Sequence, residues 1–237
     1  SSSTLPKQCK FGTKDEFIFG NLPEDWFARE NALTYRIDYA LGQKTGFFID
    51  QRENRRLVAQ YAKGRKVLNA FAYTGGFSLS AIKAEAKEVV SLDISARAVR
   101  ICEDNVKMNF AENTTHIGEV ADVLDYLNSL EKGRFDLIVL DPPAFAKHQR
   151  NLQQALKGYR AINQKAMEKI ASGGLLFTFS CSQAVSKEDF ATMLFSCAAL
   201  SGRNVRIIKH LAAGTDHPQS IFHPEGSYLK GMLLYIE

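Results

Sequence analysis

The sequence predicts an α/β fold with a mostly parallel sheet and an antiparallel last strand. From about residue 50, apolar strand-like segments alternate with helical stretches, which is the order of parallel strands joined by right-handed crossovers. Several apolar segments end abruptly at polar residues, as strands do at the carboxyl edge of an open parallel sheet. The final segment, 228–236, follows a turn-rich stretch with no helix between them, so we expect it to enter the sheet antiparallel.

The predicted elements follow one another in a regular order. Strands are predicted at 66–68, 89–92, 114–117, 135–140, 175–179, 205–208 and 228–236. Helices are predicted at 52–63, 77–86, 95–109, 151–171 and 187–200. Residues 1–45 carry short aromatic-rich pieces broken by Gly and Pro, which indicates a small β-rich extension ahead of a main domain at 46–237.

Composition and charge narrow the class of protein. A chain of 237 residues is long enough for one large domain with a small appendage. The net charge of +4 permits an anionic partner but is too small to establish one. The four cysteines show no CxxC spacing and no apolar run is long enough to span a membrane, so we expect a cytoplasmic protein without a membrane partner. The five histidines lack metal-ligand spacing, so no metal site is predicted.

A carboxylate and a thiol follow two of the predicted strands. Asp141 comes directly after the strand 135–140, and Cys181 follows the strand 175–179. Because parallel strands present their carboxyl ends at one edge, we expect the two side chains to face each other across a crevice. A thiol opposite a carboxyl group suits nucleophilic attack on an electron-poor ring such as cytosine, with a proton donor to stabilise the adduct.

The turn after the first core strand and the acids that follow it indicate a nucleotide site. Gly75 lies in the turn 69–78, where a residue without a side chain lets a ligand approach the backbone. Asp93 ends the next strand and is placed to accept hydrogen bonds from ribose hydroxyls. Asp122 is predicted to face an adenine amino group. The alternative is a glycine turn with two helix-capping aspartates.

Seven segments resemble one known family when they are taken together. They are 42–55, 69–78, 93–95, 141–145, 180–182, 216–218 and 228–230, and the likeness covers about residues 33–237. The first contains Gly46-Phe47-Phe48-Ile49-Asp50-Gln51-Arg52, and the last is Tyr228-Leu229-Lys230. This series is similar to the RlmI-like family of S-adenosylmethionine-dependent ribosomal RNA methyltransferases. The resemblance implies a class I methyltransferase (Rossmann-like) fold.

The resemblance also implies a cofactor, a substrate and a set of site residues. The cofactor is S-adenosyl-L-methionine, with S-adenosyl-L-homocysteine as product, and the substrate is large-subunit ribosomal RNA, in which 5-methylcytosine is formed. The implied cofactor-binding residues are Gln51, Asn54, Phe71, Tyr73, Thr74, Gly75, Asp93, Ile94, Asp122, Asp141 and Pro142. Cys181 is implied as the nucleophile, and Asp141 is expected to hydrogen-bond or protonate the ring. Pro143 stands where relatives with two cysteines carry the second, so the base that removes the proton from carbon 5 is unassigned.

Residues near these strand ends are expected to contact RNA. The predicted substrate-binding residues are Pro143, Phe145, Lys147, Lys44 and Arg55. The basic members would contact phosphates, and Phe145 would stack on an extruded base. The alternatives are a solvated charged face and an aromatic ring that packs its own loop.

Other functions stay open at this point. Asp141-Pro142-Pro143, followed after Ala144 by the aromatic Phe145, also resembles the loop with which guanine or exocyclic-amine methyltransferases receive an amino group, and that chemistry needs no thiol. A non-catalytic RNA-binding module that retains the cofactor fold is a third hypothesis. The sequence does not specify the modified nucleotide, the oligomeric state, or whether an amino-terminal RNA-binding module precedes Ser1.

Overall fold

The computed structural model describes residues 26–38, 46–112, 115–146, 148–223 and 226–237. The strands are β1 (Phe27–Glu30), β2 (Leu33–Arg36), β3 (Lys66–Ala70), β4 (Glu88–Asp93), β5 (His116–Val120), β6 (Leu137–Leu140), β7 (Gly174–Ser180), β8 (Val205–Ala212) and β9 (Lys230–Ile236). The α-helices are α1 (Arg52–Ala62), α2 (Gly76–Lys83), α3 (Ala96–Asn109), α4 (Val123–Ser129), α5 (Leu152–Lys169) and α6 (Lys187–Ser201). Short 3₁₀ turns precede α1 and α5 at Ile49–Gln51 and Gln149–Asn151.

A mixed sheet forms the centre of the described molecule. Its strand order is β5-β4-β3-β6-β7-β9-β8. The first five strands pair in parallel, and β9 pairs antiparallel with both β7 and β8. The predicted fold is therefore confirmed, including the antiparallel entry of the last strand. Since β8 and β7 both oppose β9, they run in the same direction and end at the same edge.

Helices cover both faces of this sheet. Alternate residues of β6 point to opposite sides: Leu137 and Val139 pack on one apolar cluster, and Ile138 and Leu140 pack on the other. One cluster is built with α4, α5 and α6, and the other with β2, α1, α2 and α3. Burial on both faces explains why the β6 sequence is apolar at every position rather than alternating.

Two element predictions differ from the structure for local reasons. The helix α4 was not predicted, because seven residues make only two turns and show too short an amphipathic period. The helix predicted at 77–86 ends at Lys83, since Glu85 adopts a left-handed conformation with φ 61°. None of the helices in the described ranges is both long and apolar enough to cross a bilayer.

An antiparallel hairpin precedes the sheet. Asn31 and Ala32 both have positive φ, which matches the tight turn that joins twisted antiparallel strands. Asn109 of α3 accepts a hydrogen bond from the Thr34 amide at 2.8 Å and donates one to the Thr34 carbonyl at 2.7 Å. The small β-rich element is therefore docked on α3. The predictions for residues 1–25 and 39–45, including the domain boundary at residue 45, lie outside the described residues.

Candidate functional site

A pocket of about 180 Å³ opens at the carboxyl edge of β3, β4, β6 and β7. The structure brings most of the predicted site residues to its wall. These are Gln51, Arg55, Phe71, Tyr73, Thr74, Asp93, Ile94, Asp141, Pro142, Pro143 and Cys181. Parallel pairing of the strands explains this convergence, because strand ends that are far apart in sequence meet at one edge.

The turn after β3 holds Asp93 in a defined orientation. The Tyr73 amide donates to Asp93 Oδ2 at 2.9 Å, and the Ser95 amide donates to Oδ1 at 2.9 Å. Phe71 and Tyr73 have φ of 61° and 47°, conformations that are costly for residues with a side chain. The strained turn thus directs a backbone donor at the carboxylate, which is half-buried at the pocket wall.

Gly75 shapes this turn from behind the pocket wall. Its φ is 87°, and a Cβ at this position would overlap the Sγ of Cys102. Cys102 is fully buried on α3, and burial raises the pKa of its thiol to about 12. Cys102 is therefore a packing residue, as is the buried Cys197, whose thiol pKa is raised by burial to about 11.

A 3₁₀ turn supplies the opposite wall. Gln51 is 2% exposed, and its Oε1 accepts a hydrogen bond from Asn54 Nδ2 at 2.6 Å. Asn54 also donates to the Ala212 carbonyl at 3.1 Å and lies behind the wall rather than on it. Asn54 thus orients Gln51. This geometry does not favour a direct contact of Asn54 with the cofactor.

Asp50 is a wall residue that sequence reasoning missed. It is 7% exposed, and its Oδ2 accepts a hydrogen bond from the Tyr228 hydroxyl. Burial is the larger cause that raises the pKa of Tyr228, and the Asp50 carboxylate adds to it. Asp50 Oδ1 is buried without a hydrogen-bond partner among the described residues. The signal available in the sequence was a carboxylate placed directly after the apolar Phe47-Phe48-Ile49 run.

Arg55, for which a contact with RNA phosphates is predicted, is held by partners within the protein. Its side chain is 3% exposed and forms an ion pair with Glu30, with Nε 2.7 Å from Oε1. It also donates to the Phe48 carbonyl at 2.8 Å and lies over the Phe47 ring, 4.6 Å from the centroid. The guanidinium is thus buried among these partners, and this geometry does not favour a contact with RNA phosphates.

Cys181 lies against the loop that carries Asp141. The residue is half-buried, and its Sγ is 3.9 Å from the Pro142 carbonyl oxygen. Ser182 joins the two loops, since its Oγ donates to the Ala146 carbonyl at 3.0 Å and accepts from the Ala146 amide at 3.1 Å. The thiol and the carboxyl group therefore line one pocket, at the strand edge where the sequence pattern placed them.

Other predicted residues lie away from this pocket. The Phe145 ring packs against Tyr159 at a centroid distance of 4.6 Å, so it fills its own loop and is not placed to stack on a base. Asp122 is exposed and accepts hydrogen bonds from the Leu124 and Asp125 amides, which makes it the N-cap of α4. Its contact with adenine stays a prediction. Lys44 and Lys147 lie outside the described residues.

A family model and similar relatives both indicate a methyltransferase. Residues 5–220 match the family model described as S-adenosylmethionine-dependent methyltransferase. The chain is 39% identical over 238 residues to ribosomal RNA large subunit methyltransferase I of Tolumonas auensis, covering 99% of this chain and 60% of that protein. It is 40% identical to the protein of the same name from Aeromonas hydrophila, covering 98% of this chain and 60% of that protein. The chain thus spans about 60% of the length of these relatives.

Solved structures share the fold at lower identity. The structure of SMU.776 complexed with SAH has a TM-score of 0.80 and 24% identity, covering 91% of this chain and 57% of that chain. Trm5b from Pyrococcus abyssi has a TM-score of 0.68 and 18% identity, covering 93% of this chain and 58% of that chain. At these identities the likeness establishes the fold alone.

Proposed function

The chain belongs to the family of S-adenosylmethionine-dependent methyltransferases, and on this premise we propose that it methylates carbon 5 of a cytosine in large-subunit ribosomal RNA. The observation that carries the proposal is the meeting of Cys181 and Asp141 on the wall of one pocket with Asp93 and the turn after β3. Relatives at 39–40% identity are named for the large ribosomal subunit RNA, which supports the substrate class. An RNA substrate of this kind also supports a cytoplasmic location.

The residues of the pocket fit S-adenosylmethionine. The orphaned Oδ1 of Asp50 is buried and needs a donor, and the α-ammonium of the methionine moiety would provide one. Asp93 would accept hydrogen bonds from the ribose hydroxyls, and Gln51 would border the methionine end. When bound, this cofactor supplies an electrophilic methyl group on a sulfonium.

Cys181 provides the nucleophile that cytosine methylation requires. Its thiolate sulfur forms a bond to carbon 6 of the ring, and the ring electrons then make carbon 5 nucleophilic. Asp141 would hydrogen-bond or protonate nitrogen 3 and the exocyclic amine, which offsets the charge that develops as the adduct forms. After transfer, a base takes the proton from carbon 5, the double bond re-forms, and the carbon–sulfur bond breaks to release the Cys181 thiolate.

The alternative guanine or exocyclic-amine chemistry is disfavoured by one observation. In that chemistry an aromatic residue directly after Asp-Pro-Pro stacks on the target base, whereas in this chain Ala144 holds that position and the first aromatic residue is Phe145. Here Phe145 is turned onto Tyr159 and is absent from the described pocket wall. Pro143, which is exposed at the pocket, remains in the proposed RNA-contact set with Lys44 and Lys147.

Replacement of Cys181 tests the proposal. Cys181→Ala should lower methyl transfer to large-subunit ribosomal RNA by at least about a thousandfold, because the ring stays a poor nucleophile, while calorimetric affinity for S-adenosylmethionine changes less than about twofold. RNA containing 5-fluorocytosine should trap the wild-type protein covalently, since fluorine cannot leave as a proton does.

Cys197→Ala is the matched control, because this cysteine is buried on α6 away from the pocket; it should retain transfer and trapping. Asp141→Asn should lose most transfer, because an amide does not supply the same proton or charge. Full methylation by Cys181→Ala, with the mark on a guanine or on an exocyclic nitrogen, contradicts the proposal.

A further inference from the structure

A buried lysine lies behind the loop that carries Cys181. Lys230 is the first residue of β9, and its backbone is paired with Ser180, the residue before Cys181. The side chain is 4% exposed. Its Nζ donates to the carbonyls of Ser182 and Val185, at 2.6 Å each. The ammonium group therefore spans the turn that follows Cys181.

Burial of this charge is costly. Burial lowers the pKa of Lys230 to about 8, and no carboxylate of the described residues lies within ion-pair distance of its ammonium. An apolar residue of similar volume would fill the same space without the desolvation penalty. The two carbonyl hydrogen bonds offset part of that penalty, and an anion close by would offset more.

Cys181 is the candidate for such a neighbour, because Lys230 is paired with the residue before it and binds the carbonyl of the residue after it. The charged and titratable groups that act on Lys230 are Cys181, Lys187 and Asp189. Cys181 also interacts electrostatically with the Tyr159 and Tyr228 hydroxyls. Burial raises the pKa of both phenols and so keeps them neutral. The Asp141 carboxyl group lines the same pocket as Cys181. A thiolate at Cys181 thus has neutral phenols and a carboxyl group around it, and Lys230 supplies a positive charge from behind.

We propose that Lys230 is a positioning residue that holds the turn after Cys181 and whose ammonium favours the Cys181 thiolate. This inference rests on the proposed role of Cys181 as nucleophile. The thiol loses its proton to solvent before attack, and Lys230 keeps its own proton throughout, so it acts as a fixed charge rather than as a base. Its position beneath the turn orients Sγ toward the pocket.

Site-specific alkylation tests this role without RNA or cofactor. The rate at which iodoacetamide modifies Cys181 is measured from pH 6 to pH 10 by mass spectrometry of its peptide, for the wild type, Lys230→Gln and Lys230→Met. Lys230→Gln keeps a hydrogen-bond donor and removes the charge. We expect both variants to react about tenfold more slowly at pH 7, with the midpoint of the profile moved about one unit higher. Lys209→Met, at an exposed position on β8, should match the wild type.

The reciprocal measurement needs no change at Lys230. In Cys181→Ala, the ammonium loses its anionic neighbour, so NMR of lysines labelled with carbon-13 at Cε should show the Lys230 titration moved to lower pH. An unchanged alkylation profile in Lys230→Gln, or an unchanged Lys230 titration in Cys181→Ala, overturns the inference. Loss of folding stability without a change in the profile would also overturn it, because that result assigns only a structural role.

Methyl transfer separates this inference from the proposed function. If both hold, Lys230→Gln lowers kcat, recovers part of it at higher pH, and leaves the KM for S-adenosylmethionine unchanged. If Cys181→Ala methylates RNA fully while Lys230→Gln still shifts the alkylation profile, the proposed function fails and the electrostatic coupling stands.

Discussion

The Asp93 side chain at the pocket is oriented by backbone groups. Asp93 receives two amide hydrogen bonds, and one of them comes from Tyr73 in a left-handed conformation. Strain of this kind costs on the order of 1–3 kcal/mol per residue and persists only where the surrounding structure enforces it. Its location in the turn that borders the pocket supports a role in binding.

Replacement of Asp93 is a prediction at the residue scale. Asp93→Ala should weaken S-adenosylmethionine binding about ten- to a hundredfold, which corresponds to about 1.5–3 kcal/mol, because hydrogen bonds to buried hydroxyls are lost. Isothermal calorimetry measures the change. Asp104→Ala, an exposed aspartate in an open ion pair on α3, is the control and should bind as the wild type does. Equal affinity in both variants would remove Asp93 from the cofactor site.

At the scale of elements, one turn links β7 to the helix that follows it. The turn after β7 leads directly into α6, whose N-cap is Ser186. The Ser186 hydroxyl accepts from the Asp189 amide at 2.9 Å, and the Asp189 carboxylate accepts from the Ser186 amide at 3.1 Å. This reciprocal capping box satisfies two amides that a helix start leaves unpaired. The capping box lies at the end of the turn whose carbonyls bind Lys230.

Loss of this cap is a prediction at the element scale. Ser186→Ala should lower the free energy of unfolding by about 1 kcal/mol, because the alanine leaves the Asp189 amide without its acceptor. Urea denaturation measures the change. Ser196→Ala is the comparison within the same helix, since its hydroxyl only bonds the Thr192 carbonyl one turn earlier; there we expect a change below about 0.5 kcal/mol. Equal losses in both variants would contradict the assignment.

Across the whole molecule, a buried polar chain joins three strands and a helix behind the pocket. Asn69 of β3 donates to Ser78 of α2 at 2.8 Å, and Ser78 pairs with Ser91 of β4 at 2.6 Å. Ser91 pairs with His116 of β5 at 2.7 Å. Burial lowers the pKa of His116 to about 4. A chain of this kind holds the neutral imidazole and resists its protonation.

The global stability should therefore fall with acidity. The folded-state pKa of His116 is below its usual value of 6.5, so the unfolded chain binds the proton first as pH falls. The stability that neutral His116 contributes is present above about pH 6.5 and is lost as the pH falls toward 4. The free energy of unfolding should therefore fall by about 2 kcal/mol between pH 7 and pH 5. Urea denaturation should show that the free energy of unfolding of His116→Gln falls by about 2 kcal/mol less than that of the wild type over the same pH interval. His210→Gln, exposed on β8, should keep the wild-type dependence. Parallel curves for the wild type and His116→Gln would refute the prediction.

The sequence by itself determined the fold and the edge at which the site lies. Apolar runs that stop at Asp93, Asp141 and Cys181 encode both the burial of the strands and the place where each ends. In a parallel sheet those ends meet, so local patterns were sufficient to place the three residues together. The helix α4 escaped prediction because its seven residues give too short a period.

Only the tertiary structure decided which residues of similar chemistry face the pocket. Arg55 and Lys230 have similar chemistry, but each is held by a partner that is distant in the sequence. Arg55 pairs with Glu30, 25 positions away, and Lys230 binds the Ser182 carbonyl, 48 positions away. Asp50 meets Tyr228 across 178 positions, and Phe145 turns onto Tyr159 rather than toward the pocket. Local periodicity carries no information on such distant pairs, because packing of the complete chain sets their distances and the desolvation that follows.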